Sequence, residues 1–549
     1  MPFGMDHPAQ DRPLPVGERR SAEPPFRTGH RDPGWWPAPV AGLGALALYA
    51  LTLAPGLTWR HSGADGGDLL AAALTRGVPH PTGYPVYQLL LRAAVAIYPG
   101  EPARAGNWLS ALCAAAAVAV LADLARRMLP DHPWRGTVAL IAGLAWATSP
   151  TFWSQAVLTE VYSLNALFVA LLLWLAWYWR EAIAGGGTGW RWTICAGFVF
   201  GLGLGNHISL ALMLPGLAAW CWANRQGLGG VSKRPWAIVL AMIVLGFGVY
   251  IYLPLSASGN PPINWGDPRT PEGFWWVLSA RIYRPLFFGV SWNELPLRLA
   301  KWAGGALGQL AGGPWGAMLA FIGLWWLDRH DHAWWRATGL VALAYSLYGI
   351  GYRADDYMVY LIPVWGVCAL WLASGLSWGL QELTRWVREK RSATFGRPAL
   401  VVACALLLLF PAAALVRYWP QVDLSGDHEA RDFVASVLAE AELGAVILTA
   451  TDRPTFSLWY ALDGKRLRPD LTSINVNLYP YAWYQQSLVT HHPFLLDYAR
   501  HGELPPLEQL VPEIGRRRPL YRAEALNVTL SGFREQPVGT LVRMEPAAQ

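Results

Sequence analysis

Long apolar runs, separated by short polar connectors, occupy the first three quarters of the chain. A run of roughly 15 to 25 apolar residues can cross a bilayer as a helix, and about eleven such stretches can be marked. They are Trp36–Pro55, Asn107–Leu124, Arg135–Ser149, Leu164–Tyr178, Trp192–Gly205, Ile208–Ala223, Trp236–Leu255, Ala303–Leu327, Ala337–Gly351, Met358–Leu376 and Pro398–Val416. The pattern predicts a mainly α, polytopic membrane protein. The stretches Trp192–Gly205 and Ile208–Ala223 are too short for two full spans, and Gly201, Gly203 and Gly205 lead into Asn206-His207. Short glycine-bearing helices that meet at a polar turn within membrane depth line a protein-enclosed cavity, because backbone exposed to lipid is costly.

Beyond Val416 the pattern changes. Charge density becomes ordinary from about Pro420, and helix-like and strand-like segments alternate: His428–Glu442 as an amphipathic helix, Ala445–Thr449 as a buried strand and Leu471–Val476 as another. Residues 420–549 are therefore predicted to form a soluble α/β domain after a transmembrane domain spanning 35–417. Residues 1–34 are rich in Pro, Arg and acidic residues and lack an apolar core, so they read as a disordered cytoplasmic tail, not a signal peptide.

Composition agrees with the pattern. With 54% hydrophobic and 15% charged residues, a chain of 549 residues is too apolar to be soluble. Its 32 tryptophans gather at segment ends, as at Trp35, Trp36, Trp134, Trp190, Trp192 and Trp236, where indole rings favour the headgroup level. The net charge of +6 is modest and comes from arginines flanking spans, so it implies a bilayer partner and no nucleic acid. Cys113, Cys195, Cys221, Cys368 and Cys404 lie in or beside apolar runs without paired spacing, which argues against a disulfide framework or a zinc site.

Charge also sets orientation. With the N-terminal tail inside, Arg126/Arg127, Arg180/Arg191, Arg225/Lys233/Arg234, Arg329/Arg336 and the run Arg385 to Arg397 all fall on the cytoplasmic side. The loops 57–104, 150–162, 256–302 and 352–357, and the C-terminal domain, then face outward. In a bacterium this places the protein in the inner membrane.

Chemistry concentrates on that outer face. Asp65-Gly66-Gly67-Asp68 precedes Val78-Pro79-His80-Pro81-Thr82-Gly83-Tyr84-Pro85. Two carboxylates three apart project from one helical face. A helix cap and a favourable first-turn acid account for them equally well by spacing alone. The rigid His80–Pro85 stretch is more than a solvated cap requires.

This run resembles the first outer loop of the transmembrane-protein-260-type protein O-mannosyltransferase family, whose bacterial members were long labelled only as a domain of unknown function. The family lies in the GT-C superfamily of membrane glycosyltransferases. Three further blocks carry the likeness: Phe152-Trp153-Ser154-Gln155-Ala156 with Thr159-Glu160-Val161-Tyr162-Ser163-Leu164-Asn165, then Gly201-Leu202-Gly203-Leu204-Gly205-Asn206-His207, then Asn260-Pro261-Pro262-Ile263-Asn264-Trp265-Gly266-Asp267-Pro268. A weaker similarity continues around Ala445–Trp459 and Arg468–Tyr484. Two positions depart from the family pattern: Asp68 stands where Glu is usual, and Thr82 where a second Pro is typical.

The resemblance implies a GT-C fold and inverting transfer of a sugar from a polyprenyl-phosphate carrier to an acceptor hydroxyl on the non-cytoplasmic face. Mannose and a Ser/Thr acceptor are implied by the eukaryotic branch; a protein or an envelope glycan is the expected acceptor. Such transfer needs a carboxylate near the attacking oxygen and a cation near the departing phosphate. Asp65 is the candidate base, with Asp68 and Glu160 as supporting acids or ligands of a divalent cation such as Mg2+ or Mn2+, although no oxygen-ligand pattern specifies a metal. For the lipid phosphate the candidates are His207, Arg281, Arg284 and Arg353. His80, Tyr84, Asn165, Asn206 and Trp265 complete the expected substrate-binding set. A transporter or flippase of lipid-linked sugars, or a non-catalytic assembly factor, is the alternative; against the transporter, the glycine-interrupted helix pair occurs once, without the repeat that class often shows.

Overall fold

In the computed structural model the described residues are 34–225, 233–310, 313–390, 402–499 and 503–547. The N-terminal tail, apart from Gly34, and the start of the last apolar run at 398–401 lie outside them. Helices dominate. Among the described residues five are long and apolar enough to cross a membrane: Pro102–Met128, Tyr162–Ala184, Arg234–Ala257, Tyr357–Val387 and Val402–Val422. Leu295–Gln309 and Pro314–His330, bent by 93° to each other, count as a sixth if they form one broken span. Shorter apolar helices cover Pro37–Leu51, Pro85–Ile97, Arg135–Ala147, Trp190–Leu204 and Ile208–Ala223.

Local sequence explains many of the boundaries. Proline opens the helices at Pro37, Pro85, Pro102, Pro150, Pro271 and Pro314, where its missing N–H costs nothing and its fixed φ suits the first turn. Small residues let helices approach closely. A Cβ on Gly323 would lie 1.7 Å from the Trp371 carbonyl oxygen, so Pro314–His330 and Ile362–Lys390 cross there backbone to backbone. The Trp190–Leu204 helix ends at the Gly205-Asn206-His207 turn, and a 3-10 segment, Ile208–Met213, leads into Leu214–Ala223.

The C-terminal portion contains a five-stranded sheet of order β2-β1-β3-β5-β4. Its strands are β1 (Val446–Thr449), β2 (Thr472–Asn475), β3 (Leu520–Arg522), β4 (Phe533–Val538) and β5 (Leu541–Pro546). β1 pairs in parallel with both β2 and β3, whereas β4 and β5 form an antiparallel hairpin at the β3 edge. Every residue of β1 and β2 is buried, as expected for strands covered on both faces.

This sheet shares its core with the loops that carry the Asp65 and Trp265 motifs. Ala71 and Ala72 of the Asp65–Thr75 helix, with Ile263 and Trp265, pack in one cluster with Val446, Leu448, Phe456, Trp459 and Ile474. Polar ties reinforce the contact: Trp59 Nε1 donates to Ser457 Oγ at 2.9 Å, and Lys465 Nζ lies 2.8 Å from Glu101 Oε2.

The two glycines of the Asp65–Asp68 motif are spacers within this junction. A Cβ on Gly67 would stand 2.5 Å from the Phe456 carbonyl oxygen, and one on Gly66 3.1 Å from that of Thr159. Gly67→Ala would gain up to about 1 kcal/mol of helix propensity, but overpacking against backbone costs about 1–3 kcal/mol. The clash wins. The purified variant is expected to melt at a lower temperature than wild type, whereas Gly56→Ala, which meets nothing within 4 Å, is expected to melt as wild type does.

Candidate active site

The Asp65–Thr75 helix begins with Asp65 at the wall of a cavity of about 640 Å³ and continues with Asp68 pointing into the protein. Although three apart, the acids have different surroundings. Asp65 is 34% exposed, whereas Asp68 is fully buried. Asp68 Oδ2 accepts from the His80 backbone N–H at 2.8 Å and lies 2.7 Å from His80 Nδ1, and Oδ1 accepts from Trp265 Nε1 at 3.0 Å. Its lone pairs are committed to those donors. The His80 ring, stacked on Phe456 with the planes 8° apart, directs Nε2 to within 3.6 Å of Asp65 Oδ2.

Electrostatics follow from this chain of contacts. Burial raises the Asp65 pKa, His80 opposes it, and the Asp356 and Asp68 charges add to it, leaving it near 6. Burial disfavours the His80 cation. The Asp65 charge, then the Asp68 hydrogen bond and charge, with Glu160, outweigh it and push His80 up to about 9. Between these values an Asp65 carboxylate faces a His80 imidazolium.

The His80–Pro85 stretch reverses direction at Gly83, whose φ of +82° suits glycine, and delivers Tyr84 to the cavity wall. Tyr84 OH donates to the Pro81 carbonyl at 3.1 Å. His207 also lines the cavity; its Nδ1 accepts from the Ser209 N–H at 3.2 Å, and its ring stacks on Tyr84 with centroids 6.0 Å apart. Asp65, His80, Tyr84 and His207 therefore meet at one cavity.

The other expected site residues stand elsewhere. Trp265 is buried behind His80 and reaches the site through Asp68. Glu160 is 2% exposed and accepts from the Val161 N–H at 3.2 Å; burial, then the Asp65 charge, raises its pKa well above the usual carboxylate range. Asn206 donates to the Val161 carbonyl at 3.2 Å, and Asn165 is buried with its Oδ1 unbonded. None of these four lines the cavity. Arg281 and Arg284 are exposed on the Arg281–Leu286 turn and also lie off the cavity lining. So does Arg353, which lies 3.6 Å from Glu294. Hydrogen-bond donors surround Asp68, and protein encloses Glu160. Among the described residues no group of three or more His, Cys, Asp or Glu side chains gathers as metal ligands.

The cavity contains residues that sequence reasoning did not select. Tyr348, Tyr352 and Tyr360 form a wall with centroids 5.0 to 5.4 Å apart, and Tyr162 meets Tyr360 at 5.7 Å. Tyr345, Tyr348 and Tyr352, spaced by three and four at the end of a predicted span, were the available signal. Tyr283, Asp355 and Asp356 complete that side. From the C-terminal portion come Thr451, Asp452 and Arg453, immediately after a predicted buried strand. Asp452 stands exposed at the cavity, where partial desolvation and then the Asp65 charge raise its pKa.

This helical framework, with its cavity and small C-terminal sheet, shares its fold with the ArnT structures. The crystal structure of ArnT from Cupriavidus metallidurans bound to undecaprenyl phosphate superposes with a TM-score of 0.58, covering 92% of this chain and 97% of that one at 14% identity. The apo ArnT structure gives 0.56 over the same shares at 15% identity. Residues 65–228 match the family described as the Protein O-mannosyl-transferase TMEM260 N-terminal domain. Protein O-mannosyl-transferase TMEM260 of Mus musculus is 26% identical over 470 residues, which are 81% of this chain and 63% of the mouse protein. The Dictyostelium discoideum protein of the same name is 26% identical over 241 residues, 41% of this chain and 28% of the relative. The chain thus spans less than two thirds of the curated relatives it matches. Residues 65–228 thus resemble the TMEM260 N-terminal domain, within a chain whose fold is that of ArnT.

Proposed function

We propose that this protein is a membrane glycosyltransferase that moves a sugar, mannose on the strength of its relatives' names, from a polyprenyl-phosphate carrier to an acceptor hydroxyl. The observation that carries this reading is Asp65, a carboxylate at the wall of the 640 Å³ cavity, 3.6 Å from a His80 that Asp68 holds in place. The ArnT structure with undecaprenyl phosphate supports the choice of carrier. The proposed topology has about eleven spans, a cytoplasmic N-terminal tail, and the cavity and the C-terminal α/β domain on the non-cytoplasmic face.

The reaction is a single displacement with inversion. The acceptor oxygen attacks the anomeric carbon while Asp65 takes its proton, and the bond from that carbon to the phosphate oxygen breaks with its electron pair leaving on the phosphate. Sugar-linked acceptor and polyprenyl phosphate are the products. His80 holds Asp65 ionised and oriented. The tyrosine wall offers flat faces and hydroxyls to a sugar ring. The acceptor is a protein Ser/Thr or an envelope glycan.

Purified protein supplied with radiolabelled mannosyl-phosphoryl-undecaprenol and Ser/Thr peptides or envelope glycans is expected to transfer label. Failure to transfer or hydrolyse any polyprenyl-phosphate sugar, with lipid movement seen in liposomes, would replace this reading by that of a flippase.

A further inference from the structure

Transfer from a lipid phosphate requires a cation where the phosphate leaves, and the expected arginines lie away from the cavity. Four carboxylates line it: Asp65, Asp355, Asp356 and Asp452. Among the described residues lining it, Arg453 is the only arginine or lysine. It has no ion-pair or hydrogen-bond partner among the described residues, whereas arginines such as Arg269, Arg468 and Arg522 are each committed to a carboxylate.

The position of Arg453 follows from the sheet. β1 lies between two parallel neighbours, β2 on one side and β3 on the other, so the chain switches sides at the carboxyl ends of β1 and β3. In open α/β sheets the crevice at such a switch point is where ligands bind, because the diverging connections leave a gap there. Here that crevice opens into the cavity. The segment after β1 is held from both flanks. Glu524, just beyond β3, accepts from the Ala450 and Thr451 N–H groups at 2.7 and 2.8 Å and from Thr451 Oγ1 at 2.6 Å. Asn477, beyond β2, donates to the Ala450 carbonyl at 2.8 Å. These bonds fix the backbone leading to Arg453, while its guanidinium stays uncommitted.

We propose that Arg453 binds the phosphate of the lipid carrier, so that the C-terminal α/β portion completes the active site across the cavity from Asp65. The inference rests on the function proposed above. A guanidinium suits this place because it remains charged at any working pH and offers a planar fork to phosphate oxygens. It also offsets the carboxylates that would otherwise repel the leaving group.

The test is equilibrium binding of undecaprenyl phosphate to the full-length protein in detergent, with undecaprenol as the uncharged control. Arg453→Gln is expected to weaken undecaprenyl phosphate by about ten- to a hundredfold, the range for loss of a charge-assisted contact. Arg453→Lys recovers part of the loss. Undecaprenol binds wild type and variant alike, and inorganic phosphate at millimolar concentration competes with undecaprenyl phosphate on wild type but not on Arg453→Gln. Equal undecaprenyl phosphate affinity in wild type and Arg453→Gln would overturn the assignment, even with transfer still dependent on Asp65. An equal loss for undecaprenol would do so too, because the residue would then be structural. Absence of both binding and transfer in wild type would instead remove the function on which the assignment rests.

Discussion

If Asp65 is the base of the proposed transfer, Asp65→Asn is expected to lower the rate of sugar transfer by about 10³-fold, within the range for loss of a general base, and to leave undecaprenyl phosphate binding close to wild type. The amide keeps the shape of the side chain at the cavity wall but cannot take the acceptor proton. Radiolabel transfer under saturating donor measures the first effect, and equilibrium binding the second. Wild-type turnover by Asp65→Asn would reduce Asp65 to a first-turn acid of its helix. The base assignment also predicts how the rate depends on pH. Asp65 has its pKa raised to about 6, so the active carboxylate is lost as pH falls through that value. His80 is raised to about 9, so its cation is lost as pH rises through that value. A bell-shaped profile with its plateau between the two is expected.

Asp68→Asn carries the second large effect. Asp68 meets neither cavity nor solvent, so its influence passes through His80. Replacing the carboxylate by an amide leaves the Asp65 charge, the largest influence raising His80, but removes the ionic hydrogen bond and charge of Asp68 that add to it, while the burial that lowers it remains. The alkaline limb of the profile therefore moves to lower pH. Activity at neutral pH is expected to fall by about ten- to a hundredfold, the range for a lost hydrogen bond to a charged group. A merely structural role would lower activity without moving the limb, so the pH profile separates the two.

The family's usual Glu at this position makes Asp68 look, in sequence, like a shortened second catalytic acid. The fold assigns it another place: one methylene fewer suits a carboxylate that receives His80 and Trp265 at 2.7 and 3.0 Å inside the protein. Gly66 and Gly67 carry a similar lesson. The sequence places them on a helix without saying why glycine stands there; the fold shows that they mark close approaches to Thr159 and Phe456.

Hydrophobic periodicity by itself located most of the apolar helices, though not Pro85–Ile97, together with the polar turn at Asn206-His207, because these depend on neighbours within a few residues. The block resemblance located Asp65, His80, Tyr84 and His207, which the fold gathers at one cavity. Only the tertiary structure decided which arginine reaches that cavity and which carboxylate is hidden. Arg281, Arg284 and Arg353 have the right charge and sit in the expected loops, but side-chain direction depends on packing across the molecule. Arg453 lies 388 positions after Asp65 in a chain numbered to 549. It reaches the cavity because β1 is flanked by β2 and β3, an arrangement set by long-range strand pairing that no local pattern encodes.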